Sequence, residues 1–448
     1  MTPRIELVTP RLLPVHLERT PTPSFSAQLE HLHAKLGPLV EWLDPAPISD
    51  AVPAGVSAVV VPDLNGLAYR MLDAFAAIEV PILIITSEFG TVSMWDWEIR
   101  DHLRRRGVAT VAPTSLLEAH DICRALGVKA SLRRSRLLTY QDNPGEGMQP
   151  EIFKRFFWWE SEAVARMTDA FGVTIDQRSF RALGERARAV PDERVAAVGN
   201  VFAGRVREEG LTDTAKAAAL RMYVALGDEL DETDGVIAAG INCLNESAFS
   251  DTTPCLAWNL LFEERGLMWG CEADLLSMLT EFIVHKSLDV PVMMTNLYPF
   301  LIGDAALKHE RIPYFPEVDE PEHHVLAGHC GYFGVVPQSF ATSWSVRPRV
   351  LPIVDEHAHA LDARLPEGPT TIVKLASTMD TLVVSPANLE RYIRYEDSDV
   401  LNGAILRVDD GPRFVEHLPS HHVILATGGL MRRLEVIAQV MGLSLDRI

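Results

Sequence analysis

Four short segments concentrate the residue types that bind metals or move protons. They are Cys243–Pro254 (CLNESAFSDTTP), Trp269–Asp274 (WGCEAD), His323–Gly331 (HHVLAGHCG) and Pro419–Gly429 (PSHHVILATGG). A carboxylate such as that of Glu272 suits hard divalent cations or proton transfer. Imidazole is a common ligand of divalent transition metals. A site that joins Glu272 to histidines from distant segments is chemically reasonable, so a metal centre is the first hypothesis.

Glu272 and Asp274 stand between Gly270 and a stretch with helical spacing of apolar residues, Asp274–His285. Residues at the end of a strand or the start of a helix face the crevice of an open α/β sheet, where ligands bind. A carboxylate in that position can ligate a divalent cation or transfer a proton. The alternative is structural, with Asp274 as the N-cap of the helix and Glu272 as a solvated loop residue.

The histidines form two groups, with His323, His324 and His329 in one segment and His421 and His422 in another. Adjacent residues of a strand point to opposite faces, so at most one of His421 and His422 is expected to face a shared site. The alternative for any single histidine is a buried ring that is hydrogen-bonded within the core. Both interpretations stay open on these residues alone.

The elements that must position these residues differ along the chain. Short apolar runs alternate with helical patterns over the first two thirds, which indicates βαβ units and parallel sheets. The last third has β-like runs separated by Pro, Gly and Asp, which predicts a mainly antiparallel sheet or barrel closed by a helix at Leu430–Met441. The predicted fold class is α/β, with an N-terminal α/β domain over residues 1–145, a second α/β domain with the site over 146–300, and a β-rich, barrel-like domain over 301–448.

Individual elements follow from the same patterns, except that residues 1–50, rich in proline, predict an irregular first segment or arm. Helices are predicted at Gly66–Ile78, Ser93–Arg106, Asp213–Leu230 and Pro254–Arg265. Strands are predicted at Ala58–Pro62, Pro81–Thr86, Val108–Ala112, Arg136–Tyr140, Gly235–Gly240, Pro291–Thr295, Ser343–Pro352, Thr370–Leu375, Ala404–Val408 and His421–Ala426. Residues 142–150 are expected to be a linker, and Phe156–Trp159 (FFWW) a buried anchor or a subunit contact.

The balance of charge excludes several classes of partner. With 41 Lys plus Arg against 61 Asp plus Glu, the net charge is −20. A strongly negative surface repels phosphate backbones and anionic lipid headgroups, so neither nucleic acid nor a membrane is expected as a partner. No G-x-G-x-x-G follows a predicted strand and no P-loop motif occurs, which argues against a standard dinucleotide or nucleotide site.

Cysteine usage and hydropathy predict a cytoplasmic protein. The five cysteines are odd in number and include no C-x-x-C pair, which argues against a disulfide framework or a structural zinc site and suits a reducing compartment. No run approaches the ~18 apolar residues of a membrane span. The N-terminus lacks the apolar core of a signal peptide.

Taken in order, the motifs over roughly residues 235–448 resemble those of the L-fucose and L-arabinose isomerase family. The matching segments are Cys243, Pro254-Cys255-Leu256, the Cys-Glu-x-Asp motif Gly270-Cys271-Glu272-Ala273-Asp274, the His-Cys-Gly motif His329-Cys330-Gly331, the Gly-Pro-x-Thr strand Gly368-Pro369-Thr370-Thr371, and the final strand and helix His421–Met441. In the N-terminal third, only the α/β pattern and a strand at Ser131–Leu138 (SLRRSRLL) fit the family.

The resemblance implies an aldose–ketose isomerase of monosaccharides that uses a divalent cation, usually manganese. It implies that Glu272 is a metal ligand and the catalytic acid/base, and that His422 is a ligand from the C-terminal domain. His329 matches a site histidine that is a metal ligand in the arabinose branch, and it is predicted to be a catalytic residue that orients substrate or metal. The implied fold has two Rossmann-like α/β domains and a barrel-like domain, and family members are usually homo-oligomers, trimers or hexamers, with the site near a subunit interface.

One position departs from the family pattern. The second acidic ligand should fall at Asn296 in PVMMTN, and an amide offers a carbonyl oxygen to a metal but cannot accept a proton as a carboxylate does. Asn296 is kept as a predicted metal ligand, with Asp274 or Asp304 as compensating acids. Direct hydride shift beside a metal-polarised carbonyl is the other route to isomerisation.

The remaining expectations concern the substrate. The predicted substrate-binding residues are Asp274, His329, His421, Arg347 and Lys374. The last two, with Arg349, would recognise a modified or anionic sugar, and surface charge is the alternative for all three. Asn296 also motivates two other functions, a lyase or epimerase of modified sugars on the same scaffold and a non-catalytic sugar-binding protein.

Overall fold

The structure, a computed structural model, describes residues 5–142, 156–202, 206–299, 316–329, 331–332, 336–348, 358–394 and 403–448. Three residues that enter the predictions, Asp304, Cys330 and Arg349, lie outside the described residues. The predicted linker beyond residue 142 and the end of the predicted strand Ser343–Pro352 also lie outside them.

The N-terminal part of the chain alternates strands and helices. Its strands are β1 (Arg11–His16), β2 (Glu41–Trp42), β3 (Ala46–Pro47), β4 (Ala58–Val61), β5 (Ile82–Ile84) and β6 (Thr110–Val111), and its helices are α1 (Pro23–Leu36), α2 (Leu72–Ala76), α3 (Asp96–Arg105) and α4 (Leu116–Leu132). The strand pairs are parallel, in the order β2-β1-β4-β5-β6, with β3 also on β1. Every side chain of β4 is buried, as expected of a central parallel strand that helices cover on both faces.

The prediction of an irregular segment over residues 1–50 is wrong. This stretch supplies the central strand β1 and the 14-residue helix α1. In β1 the apolar side chains of Leu12, Leu13 and Val15 are all buried, so the strand lacks the polar alternation that would have marked it. Pro14 is paired within the sheet, although proline is normally confined to strand edges. The many prolines of this segment therefore led to a wrong prediction for strand β1.

A second parallel sheet follows. Its strands are β7 (Arg136–Tyr140), β8 (Thr174–Arg178), β9 (Val236–Ile241) and β10 (Met268–Cys271), and the helices of this part are α5 (Ser161–Phe171), α6 (Phe180–Arg188), α7 (Asp192–Phe202), α8 (Asp213–Asp231), α9 (Cys255–Arg265) and α10 (Leu275–Leu288). The strand order is β10-β9-β7-β8. The strand predicted at Ser131–Leu138 begins only at Arg136, because Ser131 still belongs to helix α4, where its hydroxyl donates to the Gly127 carbonyl.

The last third forms a closed barrel. Its elements are β11 (Val292–Pro299), β12 (His324–Gly328), β13 (Gly331–Tyr332), β14 (Ser343–Pro348), β15 (His359–Arg364), β16 (Gly368–Leu375), β17 (Thr381–Ile393), β18 (Gly403–Val408), α11 (Gly411–His417), β19 (His422–Thr427), α12 (Met431–Met441) and β20 (Ser444–Arg447). Six antiparallel strands run in the order β16-β19-β11-β12-β18-β17, and β17 pairs back onto β16. Strand β20 adds to β17 in parallel, and β13-β15-β14 form a separate small sheet. The prediction of a mainly antiparallel barrel is confirmed.

The mixed α/β content, the parallel sheets and the antiparallel barrel agree with the predicted fold class. The boundaries at residues 145 and 300 stay predictions. Two strands lie close to them: β7 pairs with strands of the second sheet, and β11 pairs with strands of the barrel.

Helix α10 lies between the second sheet and the barrel. All of its 14 residues except His285 and Lys286 are buried. One side contacts β9 and β10, and another contacts β11, β16 and β19. This helix therefore fixes the end of β10 against the barrel strands. Neither α10 nor any other helix of the described ranges combines the length and the apolar character that crossing a membrane requires.

Candidate metal centre

Glu272 lies in a tight turn between β10 and α10. Its φ angle is 51° and that of Ala273 is 53°, both in the left-handed region. Non-glycine residues in this region cost about 1–2 kcal/mol each, and such outliers concentrate at functional sites. Gly240 on the neighbouring strand makes room for the turn, because a Cβ there would lie 2.9 Å from the Ala273 Cα. The turn leaves Glu272 8% exposed, beside the barrel.

Asp274 is the N-cap of α10 and is completely buried. Its carboxylate accepts hydrogen bonds from the Ser277 backbone N–H at 2.9 Å and hydroxyl at 2.8 Å, and from Lys374 Nζ and His422 Nδ1 at 3.0 Å each. Burial opposes ionisation, but the Lys374 charge and the hydrogen-bond donors outweigh it and hold the pKa of Asp274 well below its ordinary value. The sequence predicts a substrate-binding role for Asp274, whereas the structure places it behind His422 with no exposed surface.

Lys374, on β16, is the buried counter-ion of this carboxylate. Its ammonium also donates to Ser277 Oγ at 2.7 Å, and the residue is 1% exposed. Burial lowers the pKa of Lys374, and the charge of Asp274 opposes that effect. Glu281 of α10 is buried nearby, and burial raises its pKa well above the ordinary value. Surface charge, the alternative for Lys374, is therefore wrong, and the ammonium faces Asp274 rather than solvent.

His422 opens β19 with a completely buried side chain. The ionised carboxylate of Asp274 can only accept hydrogen bonds, so His422 Nδ1 carries the proton and donates it. The lone pair is left on Nε2, which lies 3.4 Å from Glu272 Oε2. Burial lowers the pKa of His422 to about 3, and the neighbouring His421 adds to this effect. The ring is therefore neutral near pH 7.

The contact between His422 Nε2 and Glu272 Oε2 brings two acceptors face to face. Both atoms are buried, and neither has a hydrogen-bond partner among the described residues. Burial, with the nearby Cys243 and Asp274, raises the pKa of Glu272 to about 8, so a proton is one group that can occupy the contact. A divalent cation is the other, because nitrogen and carboxylate ligands lie about 2.0–2.2 Å from such an ion and hence within about 4 Å of each other.

His421 completes a group of three. One ring nitrogen each of His421 and His422 and a carboxylate oxygen of Glu272 all lie within 4.8 Å of one another. The prediction that at most one of the two histidines faces the site is wrong, because β19 begins at His422 and His421 escapes the alternation of the strand. The ring centroids of the pair are 4.2 Å apart, and His421 is exposed whereas His422 is buried.

Asn296 lies opposite His422 in the barrel. The two residues are paired across β11 and β19, and Asn296 is also paired with Gly328 of β12. Directly opposite residues of antiparallel strands share a face of the sheet, so the amide and the imidazole project to the same side. The Oδ1 atom of Asn296 is buried and has no hydrogen-bond partner in the described part of the chain. It can therefore offer a neutral oxygen beside the group of three.

No model of a known protein family matches this sequence, and no curated protein matches it either. The chemistry open to the site therefore follows from its own donor atoms. Those are one carboxylate and two imidazoles, with one amide oxygen beside them. Imidazoles are common ligands of transition metals and a carboxylate suits divalent cations, so the set fits a divalent transition metal. The hydrogen bond from His422 Nδ1 to Asp274 adds the carboxylate support that metal-binding histidines commonly have.

His329 borders this group. It follows β12, is 3% exposed, and its ring stands edge-on to that of His422 with centroids 6.1 Å apart. In the same segment, His324 lies instead against Glu390, with Nε2 3.2 Å from its carboxylate. Of these two buried histidines, His329 is therefore the one beside the candidate ligands.

Arg347 occupies a different environment. It lies on β14 and is 6% exposed, and its Nε donates to Asp362 Oδ1 at 3.0 Å. Its Nη1 donates to the Pro348 carbonyl at 2.9 Å. Surface charge, the alternative for Arg347, is wrong, and these contacts belong to the small sheet β13-β15-β14 rather than to the group around Glu272.

The segment Cys243–Pro254 contributes mainly structural contacts. Both carboxylate oxygens of Glu246 accept from the Asp142 backbone N–H at 2.9 Å, and Asp251 forms an ion pair with Arg188. Cys243 is the exception, because its thiol lies near Glu272 and contributes to the raised pKa of that carboxyl. Its sulfur is also 3.5 Å from that of Cys271.

The aromatic segment Phe156–Trp159 is a part of the site that sequence reasoning missed. The Trp158 ring stacks on His422 with centroids 5.3 Å apart, and Phe156 stacks on Trp158 at 4.4 Å. Phe156 also lies 5.6 Å from the ring of His421. Trp158 is 1% exposed, as a buried anchor would be, but nothing in the local sequence indicates that its neighbours are the candidate ligands.

Proposed function

We propose that this chain is a metal-dependent aldose–ketose isomerase that acts on a monosaccharide. The observation that carries the proposal is the contact between two buried acceptors, Glu272 Oε2 and His422 Nε2, 3.4 Å apart. His421 extends it to three donors that suit a divalent cation. The proposed cofactor is Mn²⁺ or another divalent cation, held by these three residues with Asn296 beside them. The order of motifs that resemble the fucose and arabinose isomerases supplies the reaction.

Isomerisation requires a proton to move between adjacent carbon atoms of the sugar. A bound divalent cation supplies polarisation of the carbonyl and hydroxyl oxygens. Glu272 is the proposed proton carrier, because it supplies the carboxylate of the group, and a carboxylate can take up and return a proton. Asp274 holds His422 in the tautomer that leaves Nε2 available. His329, at the edge of the group, is proposed to orient the substrate.

The proposal extends to the architecture. The two parallel-sheet units would correspond to the Rossmann-like α/β domains of that family, and the protein would be a homo-oligomer, a trimer or a hexamer. Light scattering coupled to size-exclusion chromatography measures the mass directly. A monomer at micromolar concentration would contradict this part of the proposal and would leave the chemistry untouched.

The experiment that tests the function is a sugar screen with a matched pair of variants. Protein loaded with Mn²⁺ is incubated with neutral and anionic aldoses, and ketose formation is followed. We expect turnover that a chelator abolishes, and a loss of about 10²-fold or more in kcat for Glu272→Gln. Glu118→Gln is the control, because Glu118 is also buried but hydrogen-bonds Thr114 at the start of α4. Full activity of Glu272→Gln would contradict the proposal.

Asn296 favours a second candidate function, a lyase or epimerase of a modified sugar. An amide in place of a second acid removes a charged ligand and a possible base, which suits a different proton transfer. Product analysis in D₂O separates the candidates. Deuterium exchange with inverted configuration, or cleavage into two products, would replace isomerisation. Stoichiometric metal without turnover of any sugar would favour a non-catalytic sugar-binding protein.

A further inference from the structure

A short aromatic segment connects the two walls of the candidate metal centre. Phe156–Trp159 precedes α5, and Trp158 stacks on His422, which belongs to the barrel. The same segment reaches the turn after β10, which belongs to the second parallel sheet. The carboxylate ligand and the imidazole ligands come from these two walls, so this segment is placed to determine their separation.

Both indoles of the segment donate to one backbone atom. Trp158 Nε1 lies 3.4 Å and Trp159 Nε1 lies 3.1 Å from the carbonyl oxygen of Glu272. A carbonyl oxygen has two lone pairs and can accept both hydrogen bonds. This carbonyl belongs to the peptide between Glu272, with a φ of 51°, and Ala273, with a φ of 53°. Two donors therefore converge on the most unfavourable backbone conformation of the site.

Such a conformation persists only where surrounding groups hold it. The N–H side of this same peptide is held by a backbone bond from Ala273 N to the Ile241 carbonyl at 3.1 Å, and the next peptide by a bond from Asp274 N to the Cys271 carbonyl at 3.0 Å. The indoles hold the carbonyl side of the peptide between Glu272 and Ala273. Without these hydrogen bonds, Glu272 and Ala273 could relax together toward the more populated right-handed or extended regions, which would reorient the Cβ of Glu272 and move its carboxylate from the side of His422.

We propose that Trp158 and Trp159 are positioning residues that clamp the Glu272 peptide and thereby set the distance from its carboxylate to His422 Nε2. The role of this clamp depends on the proposed function: it would hold two metal ligands at a separation that one divalent cation can bridge. The clamp itself is a property of the metal-free chain. It can therefore be tested with and without metal.

The first test uses the metal-free protein. Trp158→Phe/Trp159→Phe keeps aromatic rings but removes both indole N–H groups. Its control is Trp258→Phe/Trp42→Phe, where one tryptophan is likewise buried and the other half-buried, and neither indole nitrogen has a hydrogen-bond partner among the described residues. Hydrogen–deuterium exchange is followed for the peptide that contains residues 272–274. We expect at least tenfold faster exchange in the clamp variant and unchanged exchange in the control.

The second test measures the affinity for Mn²⁺ by calorimetry. We expect a loss of about 10–100-fold in the clamp variant, the range found when groups that orient metal ligands are removed. Adding Ala273→Gly to that variant should restore part of the affinity, because glycine adopts positive φ freely. If the double variant does not fold, Trp159→Phe alone, at a half-buried position, takes both measurements.

The outcomes separate the two proposals. Wild-type exchange rates in the clamp variant would overturn the clamp, whatever the metal does. Absence of Mn²⁺ binding by the wild-type protein would overturn the proposed metal centre, while faster exchange in the clamp variant alone would still support the clamp.

Discussion

The Nδ1 atom of His422 lies 3.0 Å from Oδ2 of Asp274, and this contact decides which ring nitrogen is available to a ligand. Because the carboxylate is ionised, the proton is on Nδ1 and the lone pair of Nε2 points toward Glu272. A neutral imidazole with a carboxylate behind it is the usual arrangement of a metal-binding histidine. The buried charge of Asp274 therefore sets the tautomer of His422 and leaves its Nε2 available to bind a metal.

Asp274→Asn should weaken metal binding without removing any proposed ligand. The amide can turn its NH₂ group toward His422 Nδ1, which would move the ring proton to Nε2 and occupy the lone pair. We expect the affinity for Mn²⁺ to fall by about 10–100-fold, measured by calorimetry. The control is Asp362→Asn, another buried carboxylate that is paired with Arg347 in the small sheet. Equal affinities of the two folded variants would argue against the tautomer mechanism.

Lys374→Met should destabilise the fold strongly. It leaves the buried anion of Asp274 without its counter-ion, and breaking a buried pair from one side costs about 3–5 kcal/mol. Urea denaturation measures the free energy of unfolding. The surface variant Lys35→Met should stay within about 0.5 kcal/mol of the wild type. Lys374→Met/Asp274→Asn should lose less than the sum of the single changes, and simple additivity would refute the coupling.

The stability of the metal-free protein should fall with rising pH because of Glu272. Its pKa is raised from the ordinary value of 4.5 to about 8, so between these values the folded state binds a proton that the unfolded state does not. The contribution of Glu272 to the free energy of unfolding is fully present below pH 4.5. It is lost as pH rises through about 8, at up to about 1.4 kcal/mol per pH unit. The measurement is the difference between wild type and Glu272→Gln in urea from pH 5 to pH 9.

Saturating Mn²⁺ should reverse that trend. The cation binds the ionised carboxylate, so metal binding competes with the proton and strengthens as pH rises. A difference between wild type and Glu272→Gln that is flat with pH in the metal-free protein would show that Glu272 is not protonated in the folded state.

Asn296→Asp should tighten metal binding. The new carboxylate would lie on the face shared with His422 and would add a charged oxygen to the donors. Because cation affinity depends on the number of charged ligands, we expect a gain of about tenfold or more for Mn²⁺. The control is Asn388→Asp, an exposed position on β17. An unchanged affinity in Asn296→Asp would place the cation away from this strand.

Local patterns predicted most elements, since the apolar run of β4 and the helical spacing of α8 depend only on residues that are close together in the sequence. The same logic failed for β1, where Pro14 and burial on both faces removed the usual signals. Closure of the barrel by β16 and β17 was not predictable in detail, because register depends on partners that a local pattern does not name.

The site shows the same division. Glu272 and His422 were found through the order of motifs, and the structure brings them within 3.4 Å. The expectation that only one of His421 and His422 faces the site was wrong because β19 begins at His422, so His421 lies outside the alternation of the strand. The pairing of Asp274 with Lys374 spans 100 residues, and the residues next to a lysine in the sequence do not indicate whether its side chain is buried. Such contacts arise only from the tertiary fold.

The burial of α10 on nearly every side has a consequence for fragments of this protein. The helix is a shared wall, since β9 and β10 pack on one of its sides and β16 and β19 on another. A fragment that stops before the barrel would leave one apolar side of α10 in water, and a barrel expressed alone would lose the helix that lines it. We therefore expect the second parallel sheet and the barrel to fold and remain soluble only when they are expressed together. A chimaera with another protein would have to exchange both parts as one unit.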